Sequence, residues 1–305
     1  MTIVKVQPLK ESNKITRLLD AAFGENRFDA GPVPIEHIAL SYSRDISPEG
    51  PIHAVEDLDI PGCMGALVYS DTHPRQWSVV CHKGQSAGRR AFTIAHEFGH
   101  FILHRKFVDE NEEYRHGFQC SEDSVLRGAG NGIEKEADNF AANLLMPLHD
   151  YRRQIPPKTR PDFEMLGTTA KRYGVSMTAA VLRWIEYTET RAIMVVSNEG
   201  FGLWSRPSHA ALRSGLYIKT KDVMYELPSQ AAAVRRDYTD ETKKGFAQPA
   251  GVWFREPLVE MCLRSDRYDQ EITLLHFEDT GPRWQGEEAE EDSYDRFVQG
   301  DKSNK

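Results

Sequence analysis

AFTIAHEFGHFILH, residues 91–104, sets His96, His100 and His104 at four-residue intervals in a stretch that is otherwise almost wholly apolar. Glu97 directly follows the first of them. On a helix, residues at i and i+4 share one face a turn apart, so His96 and His100 point the same way. Titratable side chains inside an apolar helix need partners, because burying an unsatisfied polar group is costly. Two arrangements meet that need: core histidines hydrogen-bonded to backbone, or histidines that hold a metal ion. The spacing H-E-x-x-H favours the metal. Two imidazoles reach one zinc ion from a single helix face, and the glutamate between them is placed to act as a general base. The bare pattern recurs by chance in unrelated proteins, so the reading needs a third protein ligand.

His104 does not supply it. Ligands at i, i+4 and i+8 span about 12 Å of helix axis, too far to converge on one ion through bonds of about 2 Å. The longer motif HExxHxxGxxH is also absent. His104 therefore reads as a surface residue or as a support for a ligand. A second helix offers a better answer in IEKEADNFAANLLMP, residues 133–147, which Pro147 ends. Its apolar stripe is Ala137, Phe140, Ala141, Leu144 and Leu145. At about 100° per residue, Glu134 lies roughly 60° from the centre of that stripe, with Glu136 and Asp138 at its edges. A core-facing carboxylate must be neutralised, paired or metal-bound. Glu134 is thus the expected third ligand and Glu136 the fallback. Asp138, one turn on from Glu134, is placed to take the outer nitrogen of a ligand histidine; otherwise it is a solvated edge residue.

The rest of the chain sets bounds on this reading. Its 305 residues are 40% apolar, enough for two ordinary domains and a sizeable core. A net charge of −8 argues against coating nucleic acid or an anionic membrane. The four cysteines, Cys63, Cys81, Cys120 and Cys262, form no CxxC pair. That argues against a disulfide framework or a zinc ribbon and for a reducing, cytoplasmic setting. MTIVKVQPLKESNK lacks the apolar core of a signal peptide, and no apolar run approaches the roughly 20 residues of a membrane span.

Along the chain, residues 12–23 read as an amphipathic helix with Ser12 as cap, and 33–42 as another helix. CMGALVYS (63–70) and QWSVVCHK (76–83) read as paired strands, followed by a polar loop through Arg90. Residues 105–132, polar and dotted with glycine, read as irregular. Two short helices around a GVS turn are expected over 163–188, and a β-rich region over 192–279 with a turn at 198–200. The charged, apolar-poor stretch 285–305 reads as a disordered acidic tail.

Two segments, RRAFTIAHEFGHFILH (89–104) and IEKEADNFAANLLMP (133–147), resemble the ImmA/IrrE family of metallopeptidases. That family's pattern runs R-x-F-T-I-A-H-E-x-G-H, then E-x-E-A-N-x-F-A-A-x-L-L-M-P. Asp138 departs from it, standing where asparagine is common; either side chain accepts a hydrogen bond from histidine. The resemblance implies an α+β fold with a zincin-like core over 1–155 and a small helix-turn-helix-like segment over 156–190. Over 191–284 it implies a C-terminal mixed α/β, GAF-like sensor domain. It also implies one zinc ion per chain on His96, His100 and Glu134, with Glu97 as catalytic base. The expected substrate is a partner repressor of the Cro/cI helix-turn-helix type, cut to relieve repression. Tyr114 and His116 are candidates for contacting substrate or its oxyanion. Two rival readings stand beside this one. A DNA-binding regulator would read through helices 163–188 and the nearby Arg152, Arg153, Lys158, Arg160, Lys171 and Arg172; a ligand sensor would carry a latent protease site.

Overall fold

The computed structural model describes residues 7–70, 72–121, 132–220, 223–266 and 268–279. The expected tail over 285–305 lies outside them. Helix α1 (Pro8–Phe23) begins earlier than Ser12, because a proline in the first turn needs no amide partner. Ser12 is buried mid-helix instead of capping it: its hydroxyl donates to the Pro8 carbonyl at 2.9 Å and accepts from Asn143 Nδ2 at 2.8 Å. Helix α2 (Ile35–Ile46) follows. Four strands, β1 (Ile52–Leu58), β2 (Cys63–Tyr69), β3 (Trp77–His82) and β4 (Phe118–Ser121), form a sheet in the order β1-β3-β2-β4. Only β1 runs parallel to its neighbour.

Helix α3 (Ala87–His104) starts at Ser86, whose hydroxyl accepts from the Arg89 amide. Arg89 and Arg90 therefore lie inside the helix and not in a loop before it. The short helix α4 (Phe107–Glu110) and β4 occupy part of the stretch expected to be irregular. Helix α5 (Gly132–Leu145) packs along α3. Pro147 ends it as expected but also serves as N-cap for a new helix, α6 (Leu148–Gln154).

Helices α7 (Phe163–Tyr173) and α8 (Met177–Tyr187) flank the GVS turn. Gly174 takes φ +62°, a left-handed cap that suits glycine. Asp150 of α6 ties this region together: it is buried, accepts from Tyr173 Oη at 2.6 Å, and pairs with Arg153 and Arg172. Burial alone would raise its pKa, but Arg172, Tyr173 and Arg153 hold the carboxyl below its usual range.

The β-rich region is a six-stranded antiparallel sheet, β7-β6-β5-β10-β9-β8. Its strands are β5 (Ala192–Asn198), β6 (Phe201–Pro207), β7 (Tyr225–Glu226), β8 (Phe246–Gln248), β9 (Leu258–Ser265) and β10 (Gln270–Phe277). The expected turn is present, with positive φ at Glu199 and Gly200. One face of the sheet, through Met194, Val196 and Leu274, joins the same core as Trp184 of α8 and Phe98 of α3. The other face buries Ile193, Val195, Leu275 and Phe277 beneath Ala231–Ala233 and Trp253.

Candidate metal centre

The two strong helices of the sequence meet at the histidines. His96 and His100, both buried, bring their Nε2 atoms to 3.0 Å of each other. Glu134 of α5 closes the group, with one carboxylate oxygen 3.3 Å from His96 Nε2 and the other 3.3 Å from His100 Nε2. A ligand atom from each residue lies within 4.8 Å of the others, the one such cluster among the described residues. Two imidazole nitrogens and a carboxylate oxygen are a donor set that zinc accepts. Asp138 accepts from Nδ1 of His96 at 2.9 Å, leaving Nε2 to face the cluster. Burial disfavours charge on His96, yet Asp138 and Glu134 outweigh it and raise its pKa. Burial dominates at His100, whose pKa falls. The two imidazoles in turn hold Glu134 well below the usual carboxylate range.

Glycines set the distances. Gly99 lies where α3 meets α5: a Cβ there would stand 3.1 Å from the Phe140 ring and 3.3 Å from the Ala137 backbone. This close approach brings Glu134 within reach of the imidazoles. Gly65 of β2 lies over the other side of α3, where a Cβ would come within 2.3 Å of Thr93 Cγ2 and 2.9 Å of Glu97 Oε1. Glu97 is fully buried beneath the strand, and its charge acts on His96.

His104 is neither at the surface nor a member of the ligand group. It is buried, with Nδ1 at 3.1 Å from Nδ1 of His100 and Nε2 at 3.1 Å from Glu136. Glu136, the fallback ligand, is thus engaged one layer out. Phe118 of β4 stacks on His100 at 4.8 Å, and Tyr114 stacks on Phe118 at 5.3 Å. The charge of Glu134 reaches the Tyr114 phenol. His116 is exposed and accepts from Arg115 Nε; no described contact brings it to the ligands.

Residues 54–184 match the model of the IrrE N-terminal-like domain of the M78 peptidases, a span that takes in α3, α5 and their glycines. Over those residues the chain matches the ImmA/IrrE family. The matched span includes the candidate metal-ligand group. A solved structure of a Mycobacterium tuberculosis transcriptional regulator superposes with a TM-score of 0.47 at 13% identity, over 89% of this chain and 81% of that one. A likeness that distant carries no argument about function. No curated protein matches the sequence. No helix among the described residues is long and apolar enough to cross a membrane.

Sequence reasoning missed the His104–Glu136 pair and the aromatic wall of Phe118. The first had a signal: three histidines at H-x3-H-x3-H face three acids in E-x-E-x-D, one more of each than a ligand set and one support require. The second had none, since Phe118 stands alone among polar residues.

Proposed function

We propose that this chain is a zinc-dependent endopeptidase of narrow specificity, which cuts a partner helix-turn-helix repressor and so relieves repression. The observation that carries the reading is the convergence of His96, His100 and Glu134 within 4.8 Å, with Glu97 next in the chain. Zinc, when bound there, polarises the scissile carbonyl and eases deprotonation of the attacking water. Glu97 takes that proton and passes it to the leaving amine. Glu134, His96 and His100 are the residues that hold the ion, one per chain, and Asp138 keeps His96 in the required tautomer. Tyr114 serves as an oxyanion donor: it stacks on Phe118, which stacks on His100, and its phenol is protonated at neutral pH. His116 has no comparable support.

An extended substrate needs an open strand edge. The strands β2 and β3, read as a pair from the sequence, offer no such edge because both lie inside the sheet. The edge strand nearest the site is β4, which pairs only with β2 among the described residues and carries Phe118 against His100. In this reading residues 1–155 form the peptidase unit, 156–190 a helical connector, and 191–284 a GAF-like sensor that ties cleavage to a signal, all working in the cytoplasm. The DNA-reading alternative has less behind it. Helix α8 buries Ala180, Val181, Arg183, Trp184, Ile185 and Tyr187. Of the nearby cations, Arg172 pairs with Asp150 and Asp29, Arg153 with Asp150, and Arg160 with Asp279.

The test is to load the purified chain with zinc, offer it any helix-turn-helix repressor found encoded beside its gene and unfolded casein, and map fragments by mass spectrometry. One cut in the repressor and little digestion of casein is expected. Many-site digestion of casein, or zinc content near zero after reconstitution, overturns the proposal.

A further inference from the structure

Helix α5 presents Glu134, Glu136 and Asp138 to α3, and each makes a different contact with the histidine ladder. His96 receives its supporting carboxylate directly, through the Asp138 contact of 2.9 Å on Nδ1. Nδ1 of His100 instead meets another histidine, His104, at 3.1 Å. His104 in turn meets Glu136 through Nε2 at 3.1 Å.

A neutral imidazole carries one proton, so it donates through one nitrogen and accepts through the other. A carboxylate only accepts. Glu136 therefore requires the proton of His104 to be on Nε2, which leaves Nδ1 of His104 as a bare acceptor. The bare acceptor requires the proton of His100 to be on Nδ1. That leaves Nε2 of His100 bare on the side where Glu134 and His96 converge. The reverse assignment, with His104 donating through Nδ1, would place the proton of His100 on Nε2 and block it as a ligand.

We infer that Glu136 and His104 are positioning residues for the metal, a two-step relay in which the carboxylate sets the tautomer of His104 and His104 sets that of His100. The inference rests on the metal-site reading above and adds residues to it. His104 is buried and packs against Phe107 and Phe118, which keeps water from its contact with His100, while Glu136 is only partly buried. Its two members come from opposite helices, so the α3–α5 contact that delivers Glu134 also delivers Glu136.

Two measurements test it. The first is zinc affinity, by competition with a chelator, in the parent chain and in Glu136→Leu, Glu136→Gln and His104→Phe. Leucine removes the acceptor, whereas glutamine keeps a carbonyl that accepts the same N–H. The expected result is a loss of about 10- to 100-fold for Glu136→Leu and His104→Phe, with Glu136→Gln close to the parent. The second is nitrogen-15 NMR of the histidine rings in the zinc-loaded parent, which needs no variant to fold. It should show His104 protonated on Nε2 and bare on Nδ1. A parent chain that binds no zinc overturns the metal site itself. A parent that binds zinc while Glu136→Leu binds equally well, or while His104 carries its proton on Nδ1, overturns the relay alone.

Discussion

At the scale of single residues, the proposed function assigns holding a metal and using it to different side chains. Glu97 is in the motif but outside the ligand group, so Glu97→Gln keeps the shape and removes only the base. The expected outcome is zinc content equal to the parent with cleavage lost, measured by elemental analysis and a fragment assay; comparable cleavage rates would reject the role. Glu134→Ala should behave differently. It removes a ligand and the group that bridges two buried imidazoles, so zinc content falls and the melting temperature stops responding to added zinc. These residues are legible in the sequence alone. H-E-x-x-H fixes two imidazoles on one helix face, and a carboxylate near an apolar stripe announces that something must neutralise it. The His104–Glu136 pair is not legible there, because helix periodicity says which way a side chain points but not which partner stands opposite.

At the scale of elements, the site is a contact between two helices whose spacing is set by absent side chains. Gly99→Ala tests this with opposing effects. Replacing a mid-helix glycine favours the helix by about 1 kcal/mol, while overpacking a tight contact costs about 1–3 kcal/mol. With Phe140 and Ala137 already at 3.1 and 3.3 Å from the new Cβ, overpacking wins. The expected result is a small net loss of stability and a clear loss of zinc affinity, because α5 carries Glu134 outward. Unchanged affinity by chelator competition would show that the helices do not set the ligand distance. The elements α3 and α5 are readable from their apolar periodicity. Strand β1 is not, because only its Ile52 is buried and the remainder of this edge strand is partly or fully exposed. Strand β4 is short and set among polar residues, so pairing with β2 rather than local pattern makes it a strand. The burial of α8 also carries a prediction. A recognition helix must offer base-reading side chains to the major groove, and this one spends them on the core. A gel shift with duplex DNA at low salt should show no retarded band; a salt-sensitive band would restore the DNA-reading alternative.

At the scale of the whole molecule, the question is how far the metal site feels the C-terminal sheet. Sequence patterns show that both halves have apolar faces, but not that those faces meet, since that pairing joins residues far apart in the chain. In the structure, one core cluster runs from Ile15 of α1 through Phe98 of α3 and Trp184 of α8 to Met194 and Leu274 of the sheet. A second contact joins the sheet to the start of α3: the Tyr268 hydroxyl, at the β9–β10 turn, is 3.3 Å from the Ser86 hydroxyl that caps the helix. Gly88, two residues on, has no room for a Cβ against the Val175–Ser176 backbone of the GVS turn. Separating the sheet from the helices would expose Trp184, Ile185, Met194 and Val196 together, each worth about 1.5–3 kcal/mol of burial. That is a large share of the 5–15 kcal/mol stability typical of a folded domain, so neither half should unfold alone. Calorimetry should therefore show one transition in the metal-free chain. Zinc at about one hundred times its dissociation constant should add about 2.7 kcal/mol to the whole transition. Two separate transitions, with only the first moved by zinc, would show that the sheet folds as an independent unit and that the shared core does not couple it to the metal.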